Sequence, residues 1–281
     1  MVMLDFQRVN RSVRLLVGGL KVLSSPHCDT LVREMVSDKF PRIPHLPWSP
    51  GGTRDDRRMA DVSGLLHTPV IVTEKLDGGN ICLCRNAVYA RSHRGPVTHP
   101  AFDYLKAAHA QIKPKIPDGI SVFCEYLYAV HTIEYHHLPS YLMVIAVRDD
   151  AKDWWLSWDQ VGEQSDDLAL PTVPVLGEFN FASASELEAI SSRLGVAPGL
   201  FGEREGMVVR RAGGFSTDDF QQSVAKWVRA GHVSSDEQWM KGPVRKQKLL
   251  IDGSPGPAIR CVSRLKMTWE IEAHILEARE S

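Results

Sequence analysis

Four short apolar runs in this chain each carry charge where a strand would bury it. They are Val70-Ile71-Val72-Thr73-Glu74-Lys75, Val122-Phe123-Cys124-Glu125-Tyr126, Glu205-Gly206-Met207-Val208-Val209-Arg210 and Ser223-Val224-Ala225-Lys226-Trp227-Val228. Their β-branched and aromatic content predicts strands. A charge inside an apolar strand is costly unless it is paired or bound to metal. Lys75 ends its run just before the turn signal Asp77-Gly78-Gly79. That placement predicts an ammonium held on a rigid element and pointing into a cleft between sheets. A free lysine near pH 7 loses its proton at a cost of about 4 kcal/mol, and desolvation and neighbouring cations are expected to lower that cost. Taken alone, the Lys-x-Asp-Gly string also suits a surface lysine beside a turn.

The remaining elements follow from pattern. The Pro-rich stretch Phe40 to Gly52 cannot be helix. Asn80 to Arg85 and Ala87 to Arg91 predict a hairpin joined through Arg85-Asn86. Ile120 to Tyr126, Tyr141 to Val147, Trp154 to Trp158 and Gly206 to Arg211 predict further strands, and Ser223 to Val228 another. Phe102, Leu105, Ala108 and Ile112 have the spacing of a helix over 99–112. Ser183 with Glu186 forms a capping box for a helix to about Leu194, and a C-terminal helix is expected over 264–279. Long strands with few helices and no regular βαβ alternation point to an α+β fold of antiparallel sheets.

The chain has 281 residues, 43% of them hydrophobic, enough for a real core. Its longest aliphatic run, Leu142 to Val147, is far shorter than the ~20 residues of a membrane-spanning helix, which argues against a membrane protein. The net charge of -1 hides an uneven distribution. Residues 149–203 hold 2 basic and 11 acidic side chains, whereas residues 204–266 hold 12 basic and 6 acidic ones. Such polarity suits one anion-binding side, and unrelated solvated faces would look the same. The five cysteines, Cys28, Cys82, Cys84, Cys124 and Cys261, lack paired CxxC spacing. A reducing, cytoplasmic setting fits them best, with Cys82 and Cys84 as buried small hydrophobes. His131, His136 and His137 lack metal-ligand spacing, and Trp154, Trp155 and Trp158 are expected in the core.

Two lysines and two carboxylates at strand positions suit a nucleotidyl site, in which one lysine attacks, the other holds phosphate and the acids position a hydrated cation. The ordered set over about 41–239 resembles the covalent nucleotidyltransferase superfamily of polynucleotide ligases and capping enzymes. It is most similar to ATP-dependent RNA ligases of the phage RNA ligase 2 type and their bacterial relatives. Lys75 matches the motif I nucleophile, Arg91 motif Ia, Glu125 motif III, Val144 to Val147 motif IIIa, Glu205 motif IV and Lys226 motif V. Asn80, two places after Gly78, follows the RNA ligase pattern where DNA ligases and capping enzymes usually carry Arg.

The resemblance implies a nucleotidyltransferase fold of antiparallel sheets flanked by helices, with ATP in the cleft and no C-terminal oligonucleotide-binding barrel. It implies an N-terminal extension (1–40), an adenylyltransferase domain (41–235) and a short basic, partly helical appendage (236–281). Lys75 would attack the α-phosphorus of ATP, the AMP would pass to an RNA 5′-phosphate, and a 3′-hydroxyl would then close the phosphodiester and release AMP. Lys226 would contact the α-phosphate, with Glu205 also catalytic. Asp77, Glu125 and Glu205 would hold Mg²⁺ or Mn²⁺. Glu74 would read the adenine amino group, and Gly78, Asn80 and Arg91 would line the nucleotide, Asn80 and Arg91 holding its ribose and phosphate.

Two positions depart from the family pattern. Val228 replaces a second motif V lysine, with Arg229 as a possible substitute, and Ile145 replaces the adenine-stacking aromatic. Adenine would then lie between Ile145 and Val208, although Ile145 equally suits core packing. The partner implied is RNA with 5′-phosphate and 3′-hydroxyl ends, bound by a monomer. Basic residues mixed with Trp227 and Trp239 suit RNA contact, with Arg94, Arg210, Trp227, Arg229 and His232 as candidates. The rival readings are a capping-type guanylyltransferase or DNA ligase, for whose usual barrel the 55 residues after Lys226 are too few, and a non-catalytic protein that binds RNA ends.

Overall fold

Two antiparallel sheets organise the chain, as the strand-rich pattern predicts. The computed structural model describes residues 39–52, 56–91, 95–232 and 244–250. The expected C-terminal helix, most of the N-terminal extension, Arg94 and Trp239 lie outside the described residues.

In chain order the elements are β1 (Pro69–Lys75), β2 (Gly79–Leu83), β3 (Val88–Ala90), α1 (Asp103–Ile112), β4 (Ile120–Tyr126), β5 (Leu142–Asp149) and β6 (Trp154–Trp155). There follow α2 (Trp158–Leu168), β7 (Val175–Asn180), α3 (Ala184–Val196), β8 (Gly206–Arg211), β9 (Phe215–Ser216), the single turn α4 (Phe220–Ser223) and β10 (Val224–Val228). One sheet has the order β10-β8-β1-β7 and the other β3-β2-β4-β5-β6-β9. Every ladder between them is antiparallel.

Strand alternation divides the core. Along β4, Val122, Cys124 and Tyr126 join Leu105 of α1 and Val161 and Leu168 of α2. Phe123, pointing the other way, joins Trp155, Phe215 and Phe220. On the first sheet, Val70, Val72, Met207 and Val209 pack against Leu187 and Leu194 of α3. Each such side chain contributes about 1.5–3 kcal/mol by leaving water. Between the two sheets a cleft remains, and the Pro-rich stretch borders it. Leu46 N–H donates to Lys226 O (2.8 Å) and Lys226 N–H to Pro44 O (2.9 Å), so this irregular segment lies along β10.

Two expectations need correction, and one strand was not expected. Trp154 to Trp158 is a two-residue strand followed by a helix, because Ser157 is a helix cap. Its hydroxyl accepts from Gln160 N–H at 3.3 Å and Gln160 Oε1 accepts from Ser157 N–H at 3.1 Å, the reciprocal capping box. Trp155 and Trp158 are buried, but Trp154 is 41% exposed and not core. Strand β7 carried no clear signal, since of its residues only Leu176 is buried. Ser183 does cap its helix, accepting from Glu186 N–H at 3.2 Å, but the Glu186 carboxylate accepts from Ala182 N–H (2.9 Å), so the reciprocal half of the expected capping box is shifted by one residue. Among the described residues, no helix is long and apolar enough to cross a membrane.

Candidate active site

The turn Asp77-Gly78 carries the chain from β1 in one sheet to β2 in the other, so the end of β1 faces both. Gly78 is required there: a Cβ would stand 2.7 Å from Tyr126 O. Its N–H donates to Glu125 Oε1 at 3.0 Å, which ties β4 to the turn. Asp77 is buried, and its Oδ2 accepts from the N–H groups of Thr132 (2.8 Å) and Ile133 (2.9 Å). Its own N–H donates to Tyr135 Oη at 2.7 Å. The carboxylate next to Lys75 is therefore held rigidly by backbone donors.

Lys75 pairs with Gly206 across the β1–β8 ladder, which places Glu205 beside it. Lys75 Nζ lies 2.7 Å from both Glu205 oxygens. Burial pulls the ammonium's pKa down, but Glu205, Glu125 and Asp77 outweigh it and hold the pKa above its ordinary value. This corrects the expectation of a lysine made easier to deprotonate: in the protein alone, the acids dominate over the neighbouring cations. Burial likewise raises Glu205, against the pull of Lys75. Burial pushes Glu125 up to about 8, with Lys75 opposing and Glu205 and Asp77 adding to the rise.

Lys226 enters from β10 opposite Val208. Burial and then the charge of Lys75 lower its pKa, and Asp56 Oδ1 stands 3.9 Å from its Nζ. Lys75, Asp77, Gly78, Asn80, Arg91, Glu125, Ile145, Glu205, Val208 and Lys226 all border one cavity. Ile145 and Val208 reach it from different sheets, on β5 and β8. Asn80 Oδ1 is buried there without a hydrogen-bond partner among the described residues.

Other expected residues stand differently. Glu74 borders the cavity, but its carboxylate is fully buried, accepting from Leu200 N–H at 3.0 Å and facing Arg204 Nη2 at 3.6 Å. Only Oε2 is engaged in this way; Oε1 is buried without a hydrogen-bond partner among the described residues. Trp227 is buried in the core against α3, because strand alternation turns it away from Lys226. Arg210 is also buried, donating to Leu156 O at 2.9 Å and lying over the Trp158 and Phe215 rings. His232 has a side chain only 1% exposed. The side chains of Trp227 and His232 offer no RNA-facing surface among the described residues, which corrects the expectation for them, whereas Arg210 borders the cavity. Arg229 is partly exposed and pairs with Glu203.

The metal donors also regroup. Asp77, Glu205 and His232 offer atoms that all lie within 4.8 Å of one another. Glu125 is not in that group; its Oε1 is turned to Gly78 N–H. Both nitrogens of His232 are buried without a hydrogen-bond partner among the described residues, so this donor set fits a divalent cation. Sequence reasoning did not find Phe40, Arg42 and Ile43, which also line the cavity. They precede any periodic element, and only the Pro-rich stretch signalled an extended segment there.

A family model described as RNA ligase matches residues 68–228, more than half of the chain and the stretch that contains Lys75, Glu125, Glu205 and Lys226. No curated protein matches the chain. Among solved structures, a mutant Naegleria gruberi RNA ligase with ATP and Mn is 16% identical with a TM-score of 0.49, covering 69% of this chain and 60% of that one. An archaeal ATP-dependent RNA ligase is 18% identical with a TM-score of 0.47, covering 69% of this chain and 48% of that one. This chain thus spans about half to three fifths of the length of those proteins. With the family model covering every charged strand position that borders the cleft, the chain belongs to the RNA ligase family.

Proposed function

We propose that this chain is an ATP-dependent RNA ligase that joins 5′-phosphate and 3′-hydroxyl RNA ends. One observation carries the reading: Lys75, at the end of a rigid strand, stands among Glu205, Asp77 and Glu125 and borders the same cavity as Lys226. Lys75 Nζ attacks the α-phosphorus of ATP, the N–P bond forms and pyrophosphate leaves. Before attack the ammonium must lose a proton, and a Glu205 oxygen at 2.7 Å is placed to take it. Burial has already raised the affinity of Glu205 for that proton. AMP then passes to the RNA 5′-phosphate, and the 3′-hydroxyl attacks that phosphorus, releasing AMP.

Positioning and charge neutralisation do most of the work in such transfers. Lys226 meets the α-phosphate, while Asn80 and Arg91 hold ribose and phosphate. Ile145 and Val208 sandwich the base through apolar contact in place of aromatic stacking. A divalent cation, Mg²⁺ or Mn²⁺, would be held by Asp77 and Glu205 with Glu125 nearby, and would neutralise phosphoryl oxygens. Residues 41–235 form the catalytic domain of a monomer on this reading. The test is sealing of 5′-phosphate RNA with ATP and Mg²⁺, compared with nicked DNA and with GTP as donor. RNA joined with ATP, and no joining by Lys75→Ala, is the expected result. Preference for DNA nicks or for GTP would contradict it.

A further inference from the structure

We propose that His232 is a direct metal ligand, and that it shifts the cation site formed with Asp77 and Glu205 toward Mn²⁺ and away from Mg²⁺. His232 Nε2 lies 3.5 Å from Glu205 Oε1 and 3.8 Å from Asp77 Oδ1. Donors bonded to one first-row cation at about 2.0–2.2 Å stand roughly 3 to 4.4 Å from one another, so these separations need little adjustment. The imidazole is only 1% exposed. Neither of its nitrogens has a hydrogen-bond partner among the described residues. A buried polar ring without partners is costly, and a cation bridging it to two carboxylates removes that cost.

The chemistry of the donors then decides which cation fits. Mg²⁺ is a hard ion that prefers oxygen and keeps its waters; Mn²⁺ stands at the weak-binding start of the first-row series and also takes oxygen donors, but it exchanges a water for imidazole more readily than Mg²⁺ does. Two carboxylates alone would suit Mg²⁺; adding a nitrogen favours Mn²⁺. Asp77 is preset for this by its two backbone N–H donors, which engage Oδ2 and leave Oδ1 facing the ring. His232 shows no metal-ligand spacing along the chain, because its partners lie 155 and 27 positions away.

This inference deepens the proposed function and rests on it for the use of the metal, but its test needs neither ATP nor RNA. Mn²⁺ is titrated into the full chain and the bound ion is examined by electron paramagnetic resonance, including pulsed detection of ¹⁴N coupling. The expected result is one tightly bound Mn²⁺ per chain with imidazole nitrogen coupling. In His232→Ala the coupling disappears and Mn²⁺ binding weakens about tenfold, while Mg²⁺ competition changes much less. Bound Mn²⁺ without nitrogen coupling, no bound Mn²⁺, or equal weakening toward both ions would overturn the proposal. Should the variant melt at a lower temperature without metal, the wild-type coupling alone decides. Nitrogen coupling in a protein that forms no AMP adduct would contradict the ligase reading and leave this inference standing.

Discussion

Lys75 Nζ lies within 2.7 Å of both carboxylate oxygens of Glu205. In that grip the nucleophile candidate is held as an ammonium, because Glu205, Glu125 and Asp77 together outweigh the effect of burial. Glu205→Gln removes the strongest of those counter-charges and leaves burial opposed only by Glu125 and Asp77. The Lys75 pKa is expected to fall, and its labelling by an amine-directed reagent at pH 8 should rise roughly tenfold for each unit lost. Mass-spectrometric peptide mapping reads this. An unchanged rate would show that Glu205 does not hold the proton on Lys75.

Glu74 and Arg204 form a pair buried on both sides, 3.6 Å apart. Removing one partner leaves the other charge stranded, at a cost of about 3–5 kcal/mol. Arg204→Met should therefore lower the urea midpoint strongly, and the double variant with Glu74→Gln should recover most of the loss. If the double variant is as unstable as the single one, the pair is not what Arg204 contributes.

Trp227 distinguishes a packing role from a stacking platform. It is buried beside α3, where a Cβ on Gly195 would come within 2.1 Å of its ring. Trp227→Ala is expected to cost about 3–5 kcal/mol of stability. Gly195→Ala should cost about 1–3 kcal/mol by overpacking. A Trp227→Ala protein of normal stability that had lost RNA affinity would restore the RNA-binding assignment.

His45 anchors the Pro-rich stretch next to Lys226, with its Nδ1 3.0 Å from Ser49 Oγ. Burial, and then Lys226, lower its pKa from 6.5 to about 4, against the opposing pull of Asp56. The fold keeps the neutral ring, so between those values the unfolded chain binds the extra proton. Stability is fully present above about 6.5 and is lost as pH falls through about 4. Denaturation curves from pH 7 to 4 should show a loss of about 2 kcal/mol, after allowance for solvent screening, that is absent in His45→Gln. The same loss in both proteins would place the titrating group elsewhere.

The strands that build the site were legible because their composition and their charges coincide: Lys75, Glu125, Glu205 and Lys226 border one cavity. Side-chain direction was less legible. Trp227 looked like an RNA contact because its neighbours Lys226 and Arg229 are basic, yet period-2 alternation turns it into the core. The pairing of Glu74 with Arg204 was not legible, because Arg204 is 130 positions away and nothing local announces it. His232 was misplaced for the same reason, since its partners Asp77 and Glu205 meet it only through the fold. Helix α2 was misread because three tryptophans outweighed the Ser157–Gln160 cap that in fact governs the backbone.

Peptide mapping of the full chain after incubation with ATP and Mg²⁺ tests the central claim most directly. One AMP is expected, linked to Lys75 Nζ, and absent from Lys75→Ala. An AMP on another residue, an adduct that persists in Lys75→Ala, or no adduct at all would contradict the assignment of Lys75 as the nucleophile.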